Sequence, residues 1–273
     1  LSASVTAEDT GGASSFALEG ELDALCEAVI ARNPEPDLDT TWFLLGVARS
    51  SFDAPDGYEE SYYENSIGYL KKNSWSITAS NYTQYSKLII GLTAAGYDAE
   101  NCAGHNILGY LSDFDMVKKQ GLNGVAYALI ALNTNPDYDI PADASAGSPN
   151  SEEVMRDYLM SKIVTSEKGS GWALSGSVPD VDMTSIVICA LSRYYGVSGY
   201  ETVTSAIDDA VSFLSGAQQD DGTYLALYGS GSTGTSESSA QVITALSTIG
   251  IDADEDERFI KNGKSAVDAL MSY

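Results

Sequence analysis

The sequence predicts an all-α protein, an α/α toroid of helical hairpins, and three observations carry that expectation. Apolar residues recur at spacings of three and four almost throughout. The period-two alternation of strands is nearly absent. Helices of two kinds alternate along the chain, each with a mark that repeats. One kind is apolar on nearly every side, as in YSKLIIGLTAAG, VAYALIALN, TSIVICALS and AQVITALSTIG, the pattern of a helix buried on most faces. The other is more polar and carries IGYL, LGYL, RDYL or VSFL at a common place. Such an alternation makes a ring of hairpins with the apolar helices inside.

Taken in order, residues 1–15 are rich in Gly, Ser and Thr and read as a flexible segment, leaving 16–273 as the toroid domain. A first outer helix at 16–32 stops at NPEPD, and an inner helix follows at 39–51. The outer helix at 60–73 precedes the inner helix at 83–95, whose ending AAGYDA offers Gly96 as a left-handed C-cap. Outer and inner helices follow at 104–118 and 122–133, and the Pro- and Asp-rich linker 135–150 closes that hairpin. The next pair lies at 150–164 and 183–195, then 200–217 and, after the loop YGSGSTGTS, 237–249. That helix ends in TIGIDA, so Gly250 repeats the role of Gly96. An outer helix at 263–273 completes six outer and five inner helices, with the last hairpin incomplete at Tyr273. Gly91-Leu92, Ala131-Leu132, Ala190-Leu191 and Ala245-Leu246 mark one register of four inner helices, where small residues let backbones approach.

Composition narrows the function classes. Fourteen Lys and Arg against 39 Asp and Glu leave a net charge of −25, which argues against nucleic-acid binding and against docking on an anionic membrane. The 44% of hydrophobic residues suffices for a full core. No run of 18 apolar residues exists to insert in a bilayer, and LSASVTAEDTGGASS reads as a mature or trimmed N-terminus. Cys26 and Cys189 lie in apolar helical patterns as buried thiols, although pairing among Cys26, Cys102 and Cys189 stays open. With one histidine, His105, and no C-x-x-C pair, no metal site is expected.

Two motifs stand out. AVSFLSGAQQDDGTY resembles the Q-W motif of squalene and other terpene cyclases, with Tyr224 in place of Trp, and a weaker copy runs from Tyr158-Leu159 to Trp172. Its role is structural: Gln218 caps a neighbouring helix end while the aromatic ring packs over the turn. DVDMT at 180–184 resembles the acid motif of the same cyclases, with Met183 replacing its third Asp. The resemblance would make Asp182 a catalytic acid. The plainer expectation is that Asp182 accepts backbone N–H groups at the helix start and stays ionised. DADEDE at 252–257 lacks the Gly and the final acid of a calcium loop and reads as a solvated turn.

Thr83, Asn123, Asp182 and Glu237 each stand eight residues before the small-residue mark, and Asp39 holds nearly the same place in the first inner helix. All are expected at one mouth of the ring, with Trp42, Tyr82, Tyr85, Tyr127 and Gln241 within a turn or so. Aromatic walls with a few polar groups describe a small-molecule site. Capping accounts for each helix start singly and leaves the aromatics unexplained.

GYDAENCAGHNILGYL, NGVAYALIALN, GSGWALSGSVPDVDMTSIVICALSRYY and SESSAQVITALSTIGIDADEDERF together resemble the terpenoid cyclase and protein prenyltransferase toroid superfamily. They are most similar to prenyltransferase-repeat surface proteins of Gram-positive gut bacteria and to the α-domain of transcobalamin and intrinsic factor. The resemblance implies a secreted or cell-surface binding module. It would hold a small molecule, with cobalamin as one ligand and no cofactor required, or meet a surface partner, with further domains in the full-length protein. Two alternatives stand beside it: a structural or adhesive surface domain without a ligand, and a cyclase-like enzyme using Asp182. The zinc set of the prenyltransferases is missing.

Overall fold

The computed structural model describes residues 12–226 and 234–273. They are mostly helical, so the all-α expectation holds. The chain divides into two compact units. The first takes residues up to Ser76 together with Ile90–His105, and the second takes Ile77–Ile89 and Asn106–Tyr273.

The first unit contains α1 (Gly12–Arg32), α2 (Thr41–Arg49), α3 (Tyr58–Lys72) and the latter part of α4 (Thr83–Ala94). Helix α1 takes in Gly12–Ser15, which the sequence reading assigned to a flexible segment; the rest of that segment, and most of the loop 228–236, lies outside the described residues. Helix α2 packs against both α1 and α3. Its Thr41 hydroxyl hydrogen-bonds the Tyr62 hydroxyl of α3 at 2.9 Å, with both side chains fully buried. Gly91 on α4 lies under that pair: a Cβ there would sit 2.1 Å from Tyr62 Oη. The small-residue mark therefore has a steric cause at this position.

Helix α4 ends as predicted. Gly96 adopts φ +82, Tyr97 N–H donates to Leu92 O at 2.9 Å and Gly96 N–H to Thr93 O at 3.1 Å. This is the paired bonding of a Schellman cap, which satisfies carbonyls the helix leaves open. In the second unit Gly250 repeats it, with φ +78 and Ile251 N–H on Leu246 O.

The second unit continues with α5 (Phe114–Val117), α6 (Gly121–Leu132), α7 (Glu152–Met160), α8 (Val181–Leu191), α9 (Glu201–Ala217), α10 (Ser236–Thr248) and α11 (Ala266–Leu270). Helices α6, α8 and α10 pack side by side, and α7, α9 and α11 lie against α6, α8 and α10 in turn. Ala131, Ala190 and Ala245 are fully buried in that row, and Asn133 Nδ2 of the α6 C-cap donates to Ala190 O at 3.2 Å.

Three sequence expectations need correction. The helix predicted over 104–118 is a 3-10 turn at Ile107–Leu111 followed by the single turn of α5. Asn106 and Asp113 interrupt it, because their side chains accept Leu108 N–H and Asp115 N–H, each at 2.9 Å, in place of helical carbonyls. The last helix is likewise shorter than 263–273. Two antiparallel hairpins also appear, β1 (Val164–Ser166) with β2 (Gly169–Gly171) and β3 (Ile260–Lys261) with β4 (Lys264–Ser265). They are too short to show alternation.

The aromatic turns behave as the motif predicts. Gln218 Nε2 donates to Phe259 O at 2.8 Å and Gly222 O at 3.2 Å, and Tyr224 is fully buried. In the second copy Trp172 Nε1 donates to Leu159 O at 2.8 Å, closing the C-terminal end of α7. Cys26, Cys102 and Cys189 are free thiols, the first two buried. Burial pushes the Cys102 thiol up to about 11. Among the described residues no helix is long and apolar enough to cross a membrane.

Candidate functional site

Helix starts decide which side chains of the second unit remain available. In α8 the N-cap is Asp180, not Asp182. Asp180 Oδ1 accepts Met183 N–H at 2.7 Å, and its Oδ2 accepts Leu174 N–H, also at 2.7 Å. The helix begins at Val181, two residues before the predicted start, so the cap moves back by two and Asp182 falls inside the first turn. In α10 the cap is Thr235, whose Oγ1 accepts Ser238 N–H at 3.2 Å. Neither Asp182 nor Glu237 is engaged as a cap.

Asp182 instead faces the start of α10. The Ser238 side chain hydrogen-bonds its carboxyl group, while Oδ1 is buried without a partner. The Thr235 hydroxyl donates to Ser238 Oγ at 2.9 Å, which leaves the Ser238 proton for Asp182. Burial holds the Asp182 carboxyl above the ordinary carboxylate range. The Ser238 bond works against that shift, and the charges of Asp180 and Glu237 add to it. The expected cap is therefore corrected: Asp182 is a half-buried carboxyl inside the first turn, and it protonates more readily than a free one.

Further along the same row, Tyr127 of α6 hydrogen-bonds the Gln241 side chain of α10, and burial raises the phenol above its usual value. Cys189 Sγ of α8 lies 3.8 Å from Thr248 Oγ1 of α10. Asn123 sits in the first turn of α6, half-buried. At the neighbouring helix start, Thr83 N–H of α4 donates to Gln120 Oε1 at 2.9 Å, and Gln120 is the residue that opens α6. The N-terminal ends of α4 and α6 are thus tied together, and so are those of α8 and α10.

The remaining predicted residues go elsewhere. Tyr85 is buried, and its hydroxyl accepts Ile77 N–H at 3.1 Å and donates to Thr78 O at 3.1 Å; it builds a loop instead of lining a mouth. Tyr82 packs against it with ring centroids 5.2 Å apart and opens onto a cleft of its own. Asp39 and Trp42 belong to the first unit, both exposed. The Asx-type acceptor before α2 is Asp37, whose Oδ1 takes Asp39 N–H at 3.0 Å.

Sequence reasoning missed Ser238, Cys189 and Thr248. Ser238 had a signal: it stands three residues after Thr235, the spacing that a cap bond requires. His105 is exposed, stacked on Trp75 with centroids 3.4 Å apart. In DADEDE, Asp252 accepts Asp254 N–H and Asp256 pairs with Arg258 at 2.7 Å, the bonding of a solvated turn. Among the described residues no cluster of three or more His, Cys, Asp or Glu is placed to hold a metal ion. Comparison with known protein families, with curated proteins and with solved structures finds no match to this chain.

Proposed function

We propose that the chain is an α/α toroid of six outer and five inner helices that acts as a transcobalamin-like binding module, secreted or displayed at a cell surface. Its small-molecule site lies on the N-terminal side of α6, α8 and α10 and uses Asn123, Tyr127, Asp182, Glu237 and Gln241. One observation carries this reading: the caps of α8 and α10 are supplied by Asp180 and Thr235, so Asp182 and Glu237 stand at paired helix starts without serving as caps. Polar groups at converging helix starts, beside an aromatic ring, suit a ligand with hydrogen-bonding edges. A corrinoid fits in part: its amide arms match Asn123 and Gln241, whereas no histidine stands on these helices to ligate cobalt.

The test is a thermal-shift screen of cobalamin, cobinamide and a small-molecule panel. Binding at a hundredfold excess over Kd adds about 2.7 kcal/mol of stability. For a chain of this size that is a rise in Tm of about 5 °C. The shift should disappear in Tyr127→Ala. No shift with any compound favours the second reading, a surface domain without a small-molecule ligand. That reading has its own support, since Tyr127 with Gln241 and Asp182 with Ser238 already satisfy one another across the row. The cyclase-like reading rests on the raised Asp182 carboxyl and is opposed by Met183. Turnover of a polyprenyl substrate that is lost in Asp182→Asn would establish it.

A further inference from the structure

A concave site lies in the second unit, lined by none of the residues proposed above. A cleft of about 360 Å³ is lined by Tyr82, Asn106, Tyr110, Asp113, Asp143 and Ser145, with Met116 and short backbone stretches completing it. Its walls come from three separate segments. The Tyr82 segment leads into α4, the 106–116 segment carries the 3-10 turn and α5, and the 143–146 segment belongs to the long acidic linker. The linker is fastened to α5: Asp113 Oδ2 accepts Gly147 N–H at 3.0 Å, and Phe114 N–H donates to Ser148 O at 2.8 Å. Asp143 Oδ1 accepts both the N–H and the hydroxyl of Ser145, at 2.8 and 2.7 Å. The Tyr110 ring stacks on buried Tyr85 at 4.1 Å, which fixes one aromatic wall.

The balance of charge in this cleft selects a ligand. Both carboxylates are stabilised as anions by neutral donors, which hold Asp113 and Asp143 below the ordinary carboxylate range. Neutral donors leave the charge of Asp143 uncompensated, and Asp113 has only the longer-range attraction of Lys118. Among the described residues no Lys or Arg lines the cleft. The nearby Lys118 is bonded to Asp115 at 2.6 Å, outside it. Tyrosine faces attract cations through the ring quadrupole, and a chain of net charge −25 concentrates cations around itself. A neutral sugar would also meet Asn106 and Ser145, but it would leave two carboxylates without countercharge.

We infer that this cleft binds an alkylammonium group, the ammonium set against Asp143 and Asp113 and the alkyl stem against Tyr82, Tyr110 and Met116. A free amine and a lysine side chain share this chemistry, and its volume admits one such group. The inference is independent of the toroid reading.

The test uses the whole chain, with amide chemical shifts and calorimetry as readouts. The probes are Nα-acetyl-lysine methylamide, its Nε-acetylated form, n-butylammonium chloride and glucose. The lysine probe should bind and shift the amides of Gly109, Ser145 and Ala146. Nε-acetylation should weaken it by about tenfold or more, the worth of one charge-assisted contact. Asp143→Asn should weaken it comparably, because Asn keeps the acceptor for Ser145 N–H and removes only the charge. Tyr82→Ala should weaken it through the stem. Equal binding of n-butylammonium would identify free amines as sufficient; binding of the lysine probe alone would point to a protein side chain. The inference is overturned if the acetylated probe or glucose binds as well as the lysine probe, if Asp143→Asn binds unchanged, or if no cleft amide moves at about 10 mM probe, beyond the millimolar range expected of so small a contact.

Discussion

Replacing Gly91 by Ala tests the close contact on which the first unit is built. The new Cβ would lie 2.1 Å from Tyr62 Oη, 2.7 Å from Tyr62 Cζ and 2.7 Å from Thr41 Cγ2. None of these atoms can yield cheaply, since Tyr62 and Thr41 are fully buried. The hydroxyl pair at 2.9 Å must part, which takes from the buried Tyr62 hydroxyl its bond to Thr41, at about 1–3 kcal/mol, while Thr41 keeps its bond to Leu38 O. Overpacking adds about 1–3 kcal/mol. Helix propensity returns about 1 kcal/mol, because Ala is the better helix former. The net expectation is a loss of about 1–5 kcal/mol by urea denaturation. Gly46→Ala on α2 and Gly68→Ala on α3 supply the control: nothing lies within 4 Å of either new Cβ, so both should gain up to about 1 kcal/mol. Tyr62→Leu opens the space, so the Gly91→Ala and Tyr62→Leu double variant should lose less than the sum of the singles. If Gly91→Ala is as stable as Gly68→Ala, the small-residue mark has no steric meaning and the repeat argument loses its physical basis.

Further outcomes follow at Gln218, at Gly222 with Gly263 as its control, and at Asp182. Gln218→Ala removes both bonds to Phe259 O and Gly222 O from a buried turn and should cost about 1–4 kcal/mol of stability while leaving ligand affinity unchanged; lost binding at full stability would refute the structural role. Gly222→Ala should destabilise by more than about 2 kcal/mol in chemical denaturation, since φ is +85 and the Cβ would lie 2.5 Å from Ser265 O. Gly263→Ala, at φ +75 in open space, should cost only the left-handed strain of about 1–2 kcal/mol. For Asp182, a folded-state carboxyl raised by burial means the folded protein binds the proton more tightly than the unfolded chain. Its contribution is present below the ordinary carboxylate range and is lost as pH rises through the raised value. Asp182→Asn should flatten that part of the stability–pH curve and be no less stable than the parent at neutral pH; an unchanged slope refutes the buried carboxyl.

The hairpin alternation was legible in the sequence because it is written in side-chain periodicity. Helices α4, α6, α8 and α10 start within two residues of expectation, and the Gly96 and Gly250 caps follow from the one residue that enters positive φ without strain. The segment 104–118 was misread because LGYL matches the outer-helix mark, while Asn106 and Asp113, which break the helix by bonding their own backbone, look like ordinary polar surface. Helix packing alone fixes the contacts made by the predicted residues of this row: Asp182 meets Ser238 because α8 packs on α10, and Tyr127 meets Gln241 because α6 and α10 flank α8. Tyr82 left that set because it lies in the loop before α4, and Tyr85, in the first turn of α4, because its hydroxyl is taken by the loop at 77–78. The cleft beside Tyr82 was invisible for the same reason. Tyr82, Asp113 and Asp143 are far apart in sequence, and only the bonding of the linker to α5 brings them together.

The two-residue displacement at α8 carries the most functional weight. In DVDMT the first and middle Asp are two residues apart, and a helix start can use only one of them as its cap. Periodicity favoured Asp182, since the unbroken apolar run begins at Met183. Val181 is also buried, however, which draws the helix start back and hands the cap to Asp180. Once Asp180 holds Met183 N–H and Leu174 N–H, Asp182 has no backbone duty and lies against α10 with one buried oxygen unmatched. A carboxyl so placed costs folding energy when ionised and gains nothing as a cap. Asp180→Ala should therefore be the damaging change in this motif, unfolding α8's first turn at a cost of about 1–2 kcal/mol or more, because the buried Met183 N–H and the part-buried Leu174 N–H lose their acceptor. Asp182→Ala should leave stability near the parent value. If calorimetry ranks the two variants in the opposite order, Asp182 is the structural residue after all, and the site proposed at the starts of α8 and α10 loses its central group.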